Sequence, residues 1–302
     1  MANTLTNVTQ AMLEDEVLAP LRLDRNPINA FSYGVEDKVK AVGDTVKVNI
    51  LSKKTAKTYA GTFATGDGNT TTSTDVTLAA PEMSDFYVNP LLEGIPTTER
   101  FMAEAKDAAK AVVDKVVADC LGLFLAANIG DTAADKNVVT AANYDTDDQA
   151  DLWALLAAKG VAGQRSALHN ISYASSLMKD SALTDRSASG SDLITSGELP
   201  PVLGARQFYT DLFPSAITAQ NTGVIYTGTE TIAIGFADPM EVISGLENAA
   251  GVRVFKLVDE ATGIPLIYRQ WVDSNTGIYH GAVFAMYGLS FLRDTAVRIV
   301  SA

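Results

Sequence analysis

The sequence has few of the residues from which disulfides, metal sites and active sites are built. It contains one cysteine, Cys120, which excludes a disulfide within the chain. Apolar neighbours on the same segment predict that this cysteine is a small buried side chain with an unreactive thiol. The two histidines, His169 and His280, lie far apart and outside any recognised motif, so a zinc site made with Cys120 is not expected. No metal and no cofactor are predicted.

Enzyme motifs are absent as well. There is no G-x-x-x-x-G-K-[ST] phosphate loop, no G-x-G-x-x-G fingerprint, no G-x-S-x-G elbow and no H-E-x-x-H pair. His280 lies between Tyr279 and Gly281 in a predicted strand, where a structural role is the simpler interpretation. The sequence therefore favours a protein that is not an enzyme, with a hydrolase of unrecognised site as the alternative.

Positive charge is in deficit, because 36 Asp and Glu stand against 23 Lys and Arg, a net charge of −13. An acidic chain repels phosphate backbones, so sequence-specific binding of DNA is not expected. Long apolar runs are missing too: the longest, residues 120–127, falls well short of the roughly 18 residues of a membrane span. The N-terminus shows no signal peptide. These absences predict a soluble protein made in a cytoplasm, with no membrane segment.

A long segment without an interior proline organises the chain. Apolar and small residues spaced by three and four predict an amphipathic helix over residues 96–127. Its apolar side carries Phe101, Ala105, Ala108, Val112, Val116, Cys120 and Phe124. Pro96 suits the first turn, and the segment from Asn128 to Gly130 supplies a stop signal. At 1.5 Å per residue the helix would span roughly 48 Å, which is long for a compact domain.

A shorter amphipathic helix is predicted over residues 9–23, with Met12, Leu13, Val17 and Leu18 on one side and Pro20 as a limit. It has no companion helix nearby in sequence. Two interpretations stay open for it: an arm that docks on something else, or an ordinary first helix of the core.

Residues 34–90 predict a two-stranded ribbon whose tip has no core of its own. Residues 45–51 alternate as a half-buried strand. About twenty-four residues follow, mostly Ser, Thr, Gly, Lys and Asp with hardly a core residue, and Val76 and Leu78 alternate in the return strand. The turn signal lies at residues 66–69. A two-stranded ribbon is marginally stable in water unless something packs on it, so another subunit is expected to hold the tip.

This ribbon is basic within an acidic chain. Between positions 38 and 57 six lysines, Lys38, Lys40, Lys47, Lys53, Lys54 and Lys57, stand against a single acid, Asp44. A net charge of +5 suits contact with an acidic neighbour, although a solvated strand face would explain the pattern as well.

The second half mixes helices and strands. Six aspartates in residues 131–151 resemble fragments of a calcium loop but lack its glycine and closing glutamate, so Asp148 is predicted to cap a helix over 149–159 instead. Ser172 is predicted to cap a helix ending at Lys179. Strands are predicted at 202–209, 223–227 and 231–236, and an antiparallel meander from 252 to the end.

The order of these parts resembles an HK97-fold major capsid protein of a tailed bacteriophage over roughly residues 9–299. The residues that carry the resemblance are Gly43 to Val48 leading into the ribbon, Val76 to Leu78 leading out of it, Ser196 to Pro200 followed by Val202 to Gly204, Ile234 to Phe236, and Val297 to Val300. None is a strict motif, and the order of elements carries more of the resemblance than any single residue.

The resemblance implies an α+β fold with five parts. These are an N-terminal arm (1–33), an extended β-hairpin called the E-loop with the start of the P domain (34–90), a spine helix (91–130), a mixed α/β A domain (131–250) and a strand-rich return to the A and P domains (251–302). The expected contacts between subunits lie on the ribbon, at Lys47, Lys53, Lys54, Lys57, Asp67 and Asn69.

The function that the resemblance implies is structural. The chain would assemble with itself, as hexamers and pentamers, into the icosahedral head shell that encloses phage DNA without reading its sequence. The shell would form in the host cytoplasm and end in the virion. A separate scaffolding protein, a portal and decoration proteins are the further partners expected. An encapsulin-type compartment subunit and a secreted β-rich binding protein remain as alternatives.

Overall fold

The computed structural model describes residues 10–22, 26–35, 42–51, 71–89, 97–161, 163–184, 199–213, 222–228, 231–237, 252–259, 263–273 and 275–301. The helices are α1 (Gln10–Val17), α2 (Thr97–Gly122), α3 (Ala126–Ile129), α4 (Thr146–Ala158), α5 (Ile171–Leu177) and α6 (Ser181–Thr184). Short 3-10 turns occupy Pro27–Ala30 and Ala141–Asn143.

The strands of the described residues fall into three sheets. They are β1 (Ser32–Val35), β2 (Thr45–Leu51), β3 (Thr71–Thr77), β4 (Glu82–Val88), β5 (Lys136–Val138), β6 (Arg165–Asn170), β7 (Ala205–Thr210), β8 (Thr222–Gly228), β9 (Ile232–Ala237), β10 (Val252–Val258), β11 (Pro265–Val272), β12 (Tyr279–Phe291) and β13 (Ala296–Val300). The predicted α+β class is confirmed.

The long helix α2 is the predicted one, but it ends earlier than the apolar pattern suggests. Its last residue is Gly122, and the backbone then tightens as Leu123 N donates to the Cys120 carbonyl at 3.1 Å. The side-chain amide of Asn128 donates to the Leu123 carbonyl at 2.6 Å, which stabilises the turn between α2 and α3. The prediction that one helix continues to residue 127 is therefore wrong, because side-chain spacing cannot reveal a local capping contact.

One face of α2 packs on the largest sheet. The strand order of that sheet is β1-β9-β12-β11-β10. One edge of β12 is shared by two strands, because β4 pairs with its first half and β9 pairs with its second half. Phe101 of α2 meets Phe86 of β4 at 5.1 Å between ring centroids and Tyr268 of β11 at 6.5 Å. Cys120 is fully buried on the same face, where burial raises the pKa of its thiol, as expected of an unreactive side chain.

Helix α1 is shorter than predicted and packs on its own chain. After Val17 the backbone turns, with Leu21 N donating to the Leu18 carbonyl at 3.0 Å. The side chains of Leu13, Val17, Leu18 and Leu21 are at most 1% exposed and belong to the core that α2 covers. Of the two interpretations that the sequence leaves open, the packing corresponds to a first core helix.

The second sheet has the order β5-β13-β8-β6-β7 and mixes parallel and antiparallel pairs. The predicted meander is confirmed for β10, β11 and β12, but it is wrong for β13, which leaves that sheet and pairs with β8 and β5. The strand predicted from residue 202 begins only at Ala205, because Leu203 and Gly204 adopt positive φ in a turn.

Two predicted helix caps are wrong by a few residues. Helix α4 is capped by Asp145, whose Oδ1 accepts from the backbone N–H groups of Asp147 and Asp148 at 3.0 and 3.1 Å. Asp148 is instead the reciprocal partner, since its Oδ2 accepts from Asp145 N at 3.2 Å. Helix α5 is capped by Asn170 rather than by Ser172, whose backbone N–H is the donor at 3.1 Å.

Candidate assembly surfaces

Strands β2 and β3 form a separate two-stranded ribbon, as predicted. Their register runs from Thr45 opposite Thr77 to Leu51 opposite Thr71. Lys47 is exposed opposite the exposed Asp75, so only one of the predicted contact lysines stands on a described strand. The predicted turn at 66–69 and the other five candidates, Lys53, Lys54, Lys57, Asp67 and Asn69, lie outside the described residues.

The base of the ribbon is fastened to the main sheet. Val76 and Leu78 are buried, and Ala79 N donates to the Tyr287 carbonyl of β12 at 3.1 Å. Leu78 also exchanges two backbone hydrogen bonds with the opposite strand, accepting from Gly43 N at 3.0 Å and donating to the Asp44 carbonyl at 2.9 Å. The ribbon therefore projects from a fixed root, while its described strands leave Lys47 and Asp75 in solvent.

A groove of about 530 Å³ lies between α1 and the first turns of α2. Its apolar floor comes from Met12, which is 45% exposed, and from Met102. Its rim carries the carboxylates of Asp15, Glu16 and Glu99 and the ammonium of Lys106, a net charge of −2 among the residues lining it. Lys106 Nζ pairs with Glu16 Oε2 at 3.2 Å. Asp15, with 82% of its side chain exposed, meets Arg22 at 3.5 Å.

A row of aromatic rings crosses the face of the main sheet that points away from α2. Tyr87, His280 and Trp271 are register partners on β4, β12 and β11. The rings of His280 and Trp271 stack at 5.2 Å with planes 7° apart, and Tyr87 follows at 6.2 Å from His280. Arg269 lies over Trp271 at 4.9 Å from the ring centroid. Sequence reasoning missed this row because its members come from three distant segments.

Buried polar side chains hold the second sheet together. His169 is fully buried, and its Nε2 lies 2.7 Å from Gln207 Oε1. Gln207 Nε2 donates to the Ala205 carbonyl at 3.0 Å, which turns the amide oxygen toward the imidazole and places the proton on His169 Nε2. Gln149 donates to the same oxygen at 3.1 Å. Burial lowers the pKa of His169 to about 4, although the hydrogen bond to Gln207 raises it.

An ion-pair network joins the end of the α2–α3 segment to the second sheet. Lys159 Nζ meets Asp135 Oδ1 at 2.8 Å and Asp294 Oδ1 at 2.6 Å, and it also donates to the Ala296 carbonyl at 3.0 Å. Arg298, which is 1% exposed, pairs with Asp131 at 2.6 Å. The network fixes the position of β13, and sequence reasoning missed it because the partners lie up to 167 residues apart.

Potential metal ligands do not cluster in the part of the chain that the structure describes. No group of three or more His, Cys, Asp or Glu among them could hold a metal ion. His169 is enclosed, and its nearest polar partners are amides and the phenol of Tyr144 at 3.5 Å. No helix in the described part of the chain is both long enough and apolar enough to cross a membrane.

Comparison with solved structures shows which known fold this chain shares. A capsid structure of cyanophage Pam1 matches at a TM-score of 0.59, with 12% identity over 92% of each chain. The fold is HK97-like. A structure from Mycobacterium phage Che8 matches at a TM-score of 0.55, with 18% identity over 85% of this chain and 84% of the other. The capsid of cyanophage P-SCSP1u matches at 0.57, with 12% identity over 90% and 86%. No protein-family model and no curated protein matches the sequence.

The matching structures are only 9–18% identical to this chain in sequence, which explains why the sequence shows an order of parts and no shared motif.

Proposed function

We propose that this chain is the structural subunit of an icosahedral phage head shell that encloses DNA. The observation that carries the proposal is the match of 85–92% of the chain to phage capsid structures, with a two-stranded ribbon, a long helix and two larger sheets present in this chain. The chain would act without catalysis and would reside in the virion after assembly in the host cytoplasm.

The partners in this proposal are other copies of the chain, arranged as hexamers and pentamers. A separate scaffolding protein, a portal and decoration proteins are the further partners proposed. The division into an arm (1–33), E-loop region (34–90), spine (91–130), A domain (131–250) and return (251–302) belongs to the same proposal. So do the E-loop contact residues Lys47, Lys53, Lys54, Lys57, Asp67 and Asn69.

The exposed ribbon supports the proposal on physical grounds. A two-stranded sheet gains little stability on its own, so contacts from a neighbouring subunit would supply what the ribbon lacks. The acidic composition supports it too, because a net charge of −13 keeps enclosed DNA from adhering to the shell.

The direct test is light scattering after size exclusion on the chain expressed alone, with negative-stain images of the largest fraction. Closed megadalton particles are expected. A chain that remains a 32.0 kDa monomer, even with crowding agents and a co-expressed scaffolding protein, would contradict the proposal.

The ribbon can be tested separately. Leu51 and Thr71 are directly opposite each other, so residues 52–70 can be replaced by Asn-Gly, which forms a two-residue hairpin turn. This variant should fold normally and fail to close shells. A second chain carrying a Gly/Ser linker of the original length separates loss of side chains from loss of length.

A further inference from the structure

We infer that the main sheet continues from one copy of this chain into the next, with β4 of one copy pairing antiparallel with β10 of its neighbour. The inference rests on the proposed shell function and deepens it, because it names the strands through which two copies would join. Both strands lie in the described part of the chain, and a second copy is the occupant of each edge.

Strands β4 and β10 are open edges of that sheet. Within the part of the chain that the structure describes, β4 pairs with β12 alone and β10 pairs with β11 alone. Each strand has seven residues in an uninterrupted register and contains no proline, so its outer side offers backbone N–H and C=O groups in a regular row. Such a row pairs readily with a strand of another chain.

The two edge strands expose large apolar side chains. Tyr87 and Met83 of β4 are 64% and 54% exposed, and Val258 of β10 is 43% exposed. Tyr87 and Met83 lie on the face of the sheet that points away from α2, because the alternating side chain of Phe86 packs on Phe101 of α2. Pairing with a neighbouring strand would cover these side chains and remove apolar surface from water.

The matching residues of β10 lie on the same face of the sheet. Val254 is the register partner of Arg269, whose guanidinium lies over Trp271 in the aromatic row. Lys256 and Val258 follow Val254 at steps of two residues and therefore share its face. Both edges thus present their exposed apolar residues on the side away from α2.

The charges on the two edges favour pairing of β4 with β10 over pairing of like strands. The charged residues of β4 are two acids, Glu82 and Asp85, and those of β10 are two bases, Arg253 and Lys256. Two copies of β4 would bring acids together, and two copies of β10 would bring bases together. Because opposite charges across a strand pair are stabilising and like charges are destabilising, the mixed pair is the favoured one.

The alternation of strand directions determines how the two edges would meet. Successive strands of the series β10, β11, β12 and β4 are antiparallel, so β10 of a second copy continues the pattern when it runs antiparallel to β4. The register that places opposite charges together also brings the exposed apolar residues together on the face away from α2. It gives three facing pairs, Asp85 with Lys256, Tyr87 with Val254, and Met83 with Val258. A slip of one residue would turn one apolar set toward the opposite face.

The two edges lie on opposite sides of one sheet, with β11 and β12 between them. Each copy would therefore offer β4 to one neighbour and β10 to the other. Such a head-to-tail contact produces a ring when its rotation closes, which is the arrangement that the proposed hexamers and pentamers need.

The test traps the predicted register as a disulfide between copies. The variant carries Met83→Cys and Val258→Cys in one chain, since directly opposite residues on antiparallel strands are close enough for a disulfide. Mild oxidation of the assembled protein should link copies into a ladder of covalent oligomers, seen on a gel without reductant. The control pairs Met83→Cys with Val254→Cys, which lies on the same face about 13 Å along β10 and should give roughly a tenth of the cross-linked product. Cys120 is fully buried and stays in both variants.

Charge exchange tests the same register without cysteine. Asp85→Lys alone and Lys256→Asp alone would each place like charges opposite one another and should lower the yield of closed particles roughly tenfold. The chain that carries both substitutions restores opposite charges and should recover most of that yield. Asp107→Lys, at an exposed acid on α2, changes the net charge as much as Asp85→Lys and should assemble normally. Circular dichroism confirms that each variant is folded, and Asp85→Asn and Lys256→Gln serve where a reversal is not.

The outcomes separate the inference from the proposed function. Closed particles that form normally without a cross-link between positions 83 and 258 overturn the edge pairing and leave the shell function intact. Loss of particles in both single reversals without recovery in the combined chain overturns the pairing as well. Cross-linked oligomers from a chain that never closes particles support the pairing and contradict the shell, and a chain that stays monomeric contradicts both.

Discussion

Gly288 on β12 lies directly against the backbone carbonyl of Thr77, where the ribbon joins the main sheet. A Cβ at position 288 would overlap that oxygen, and it would also press on Val76 Cγ1 at 3.1 Å. Its register partner on β9, Gly235, also faces Val76, but a Cβ there would meet Cγ1 at 3.5 Å, an ordinary contact. The two paired glycines thus differ in whether alanine can replace them, because only Gly288 faces a backbone carbonyl.

The change Gly288→Ala should therefore lower the free energy of unfolding by about 1–3 kcal/mol, the usual cost of overpacking. Gly235→Ala is the matched control and should change it by less than about 1 kcal/mol. Urea denaturation followed by fluorescence measures both. Equal effects of the two substitutions would show that the ribbon root is not held as described.

Acid should destabilise the chain through His169. Burial lowers the pKa of this histidine to about 4, against 6.5 for an exposed one, so the unfolded chain binds a proton that the folded chain excludes. The free energy of unfolding is therefore unaffected by this histidine above pH 6.5 and falls as the pH is lowered from 6.5 toward 4. The total loss over that range amounts to about 3 kcal/mol. His169→Gln, which cannot titrate, should flatten the stability profile between pH 6.5 and 4.

The control for that profile is His280→Gln. His280 stacks on Trp271 at the surface instead of being enclosed among amides. If the His280 variant flattens the profile and the His169 variant does not, the assignment of the acid effect to the buried imidazole is refuted.

Removing Asp135 should be costly because its partner Lys159 would remain enclosed. Both side chains are only 12% exposed, and Asp135 Oδ2 also accepts from the Thr132 hydroxyl at 2.6 Å. We expect Asp135→Asn to lower the free energy of unfolding by about 1.5–3 kcal/mol, the cost of losing a hydrogen bond between charged groups, while Lys159 keeps Asp294 as its partner.

The matched comparison uses an exposed pair on α2. Arg100 and Glu104 lie 3.5 Å apart as i,i+4 neighbours, with more than a third of each side chain exposed. Glu104→Gln should cost no more than about 0.5 kcal/mol. Similar losses at the two sites would mean that the Lys159–Asp135 pair is solvated.

The cap of α4 provides a test of local structure. Asp145→Ala removes the acceptor for two backbone N–H groups and should lower the free energy of unfolding by about 1 kcal/mol. Asp147 lies in the first turn of the same helix, and its side chain makes no capping hydrogen bond. Asp147→Ala should therefore lower the free energy of unfolding by only roughly a few tenths of a kcal/mol. Thermal melts of the two variants distinguish them, and a larger effect at Asp147 would contradict the observed cap.

Much of the fold follows from local sequence pattern. Apolar spacing predicts α2 to within a few residues of its start, because a helix that buries one face must repeat every three or four residues. Alternation predicts β2 for the corresponding reason. Strand β8, which is buried along its whole length, and the meander of β10 to β12 are predicted from short strand-forming runs bounded by turn signals. The ribbon follows from alternation around a polar tip, and Asp145 was missed as a cap because several aspartates nearby compete for that role.

Contacts between distant segments could not be predicted in this way. Strand β13 pairs with the second sheet instead of extending the meander, and ion pairs of Arg298 and Lys159 with their carboxylate partners hold it there. These partners meet only after the chain has folded. The aromatic row across β4, β12 and β11 likewise exists only through strand register. The groove needs both α1 and α2 in place, so the sequence supplies its charges and its methionines but not their arrangement.

The sequence alone determined the composition, the acidic charge, the basic ribbon and the order of helices and strands, since each of these depends on neighbouring residues. Tertiary structure decided which end of α2 lies near the root of the ribbon and which end borders the groove. That decision rests on packing and hydrogen bonds between residues more than a hundred positions apart, such as Tyr287 and Asp119, which no local pattern encodes.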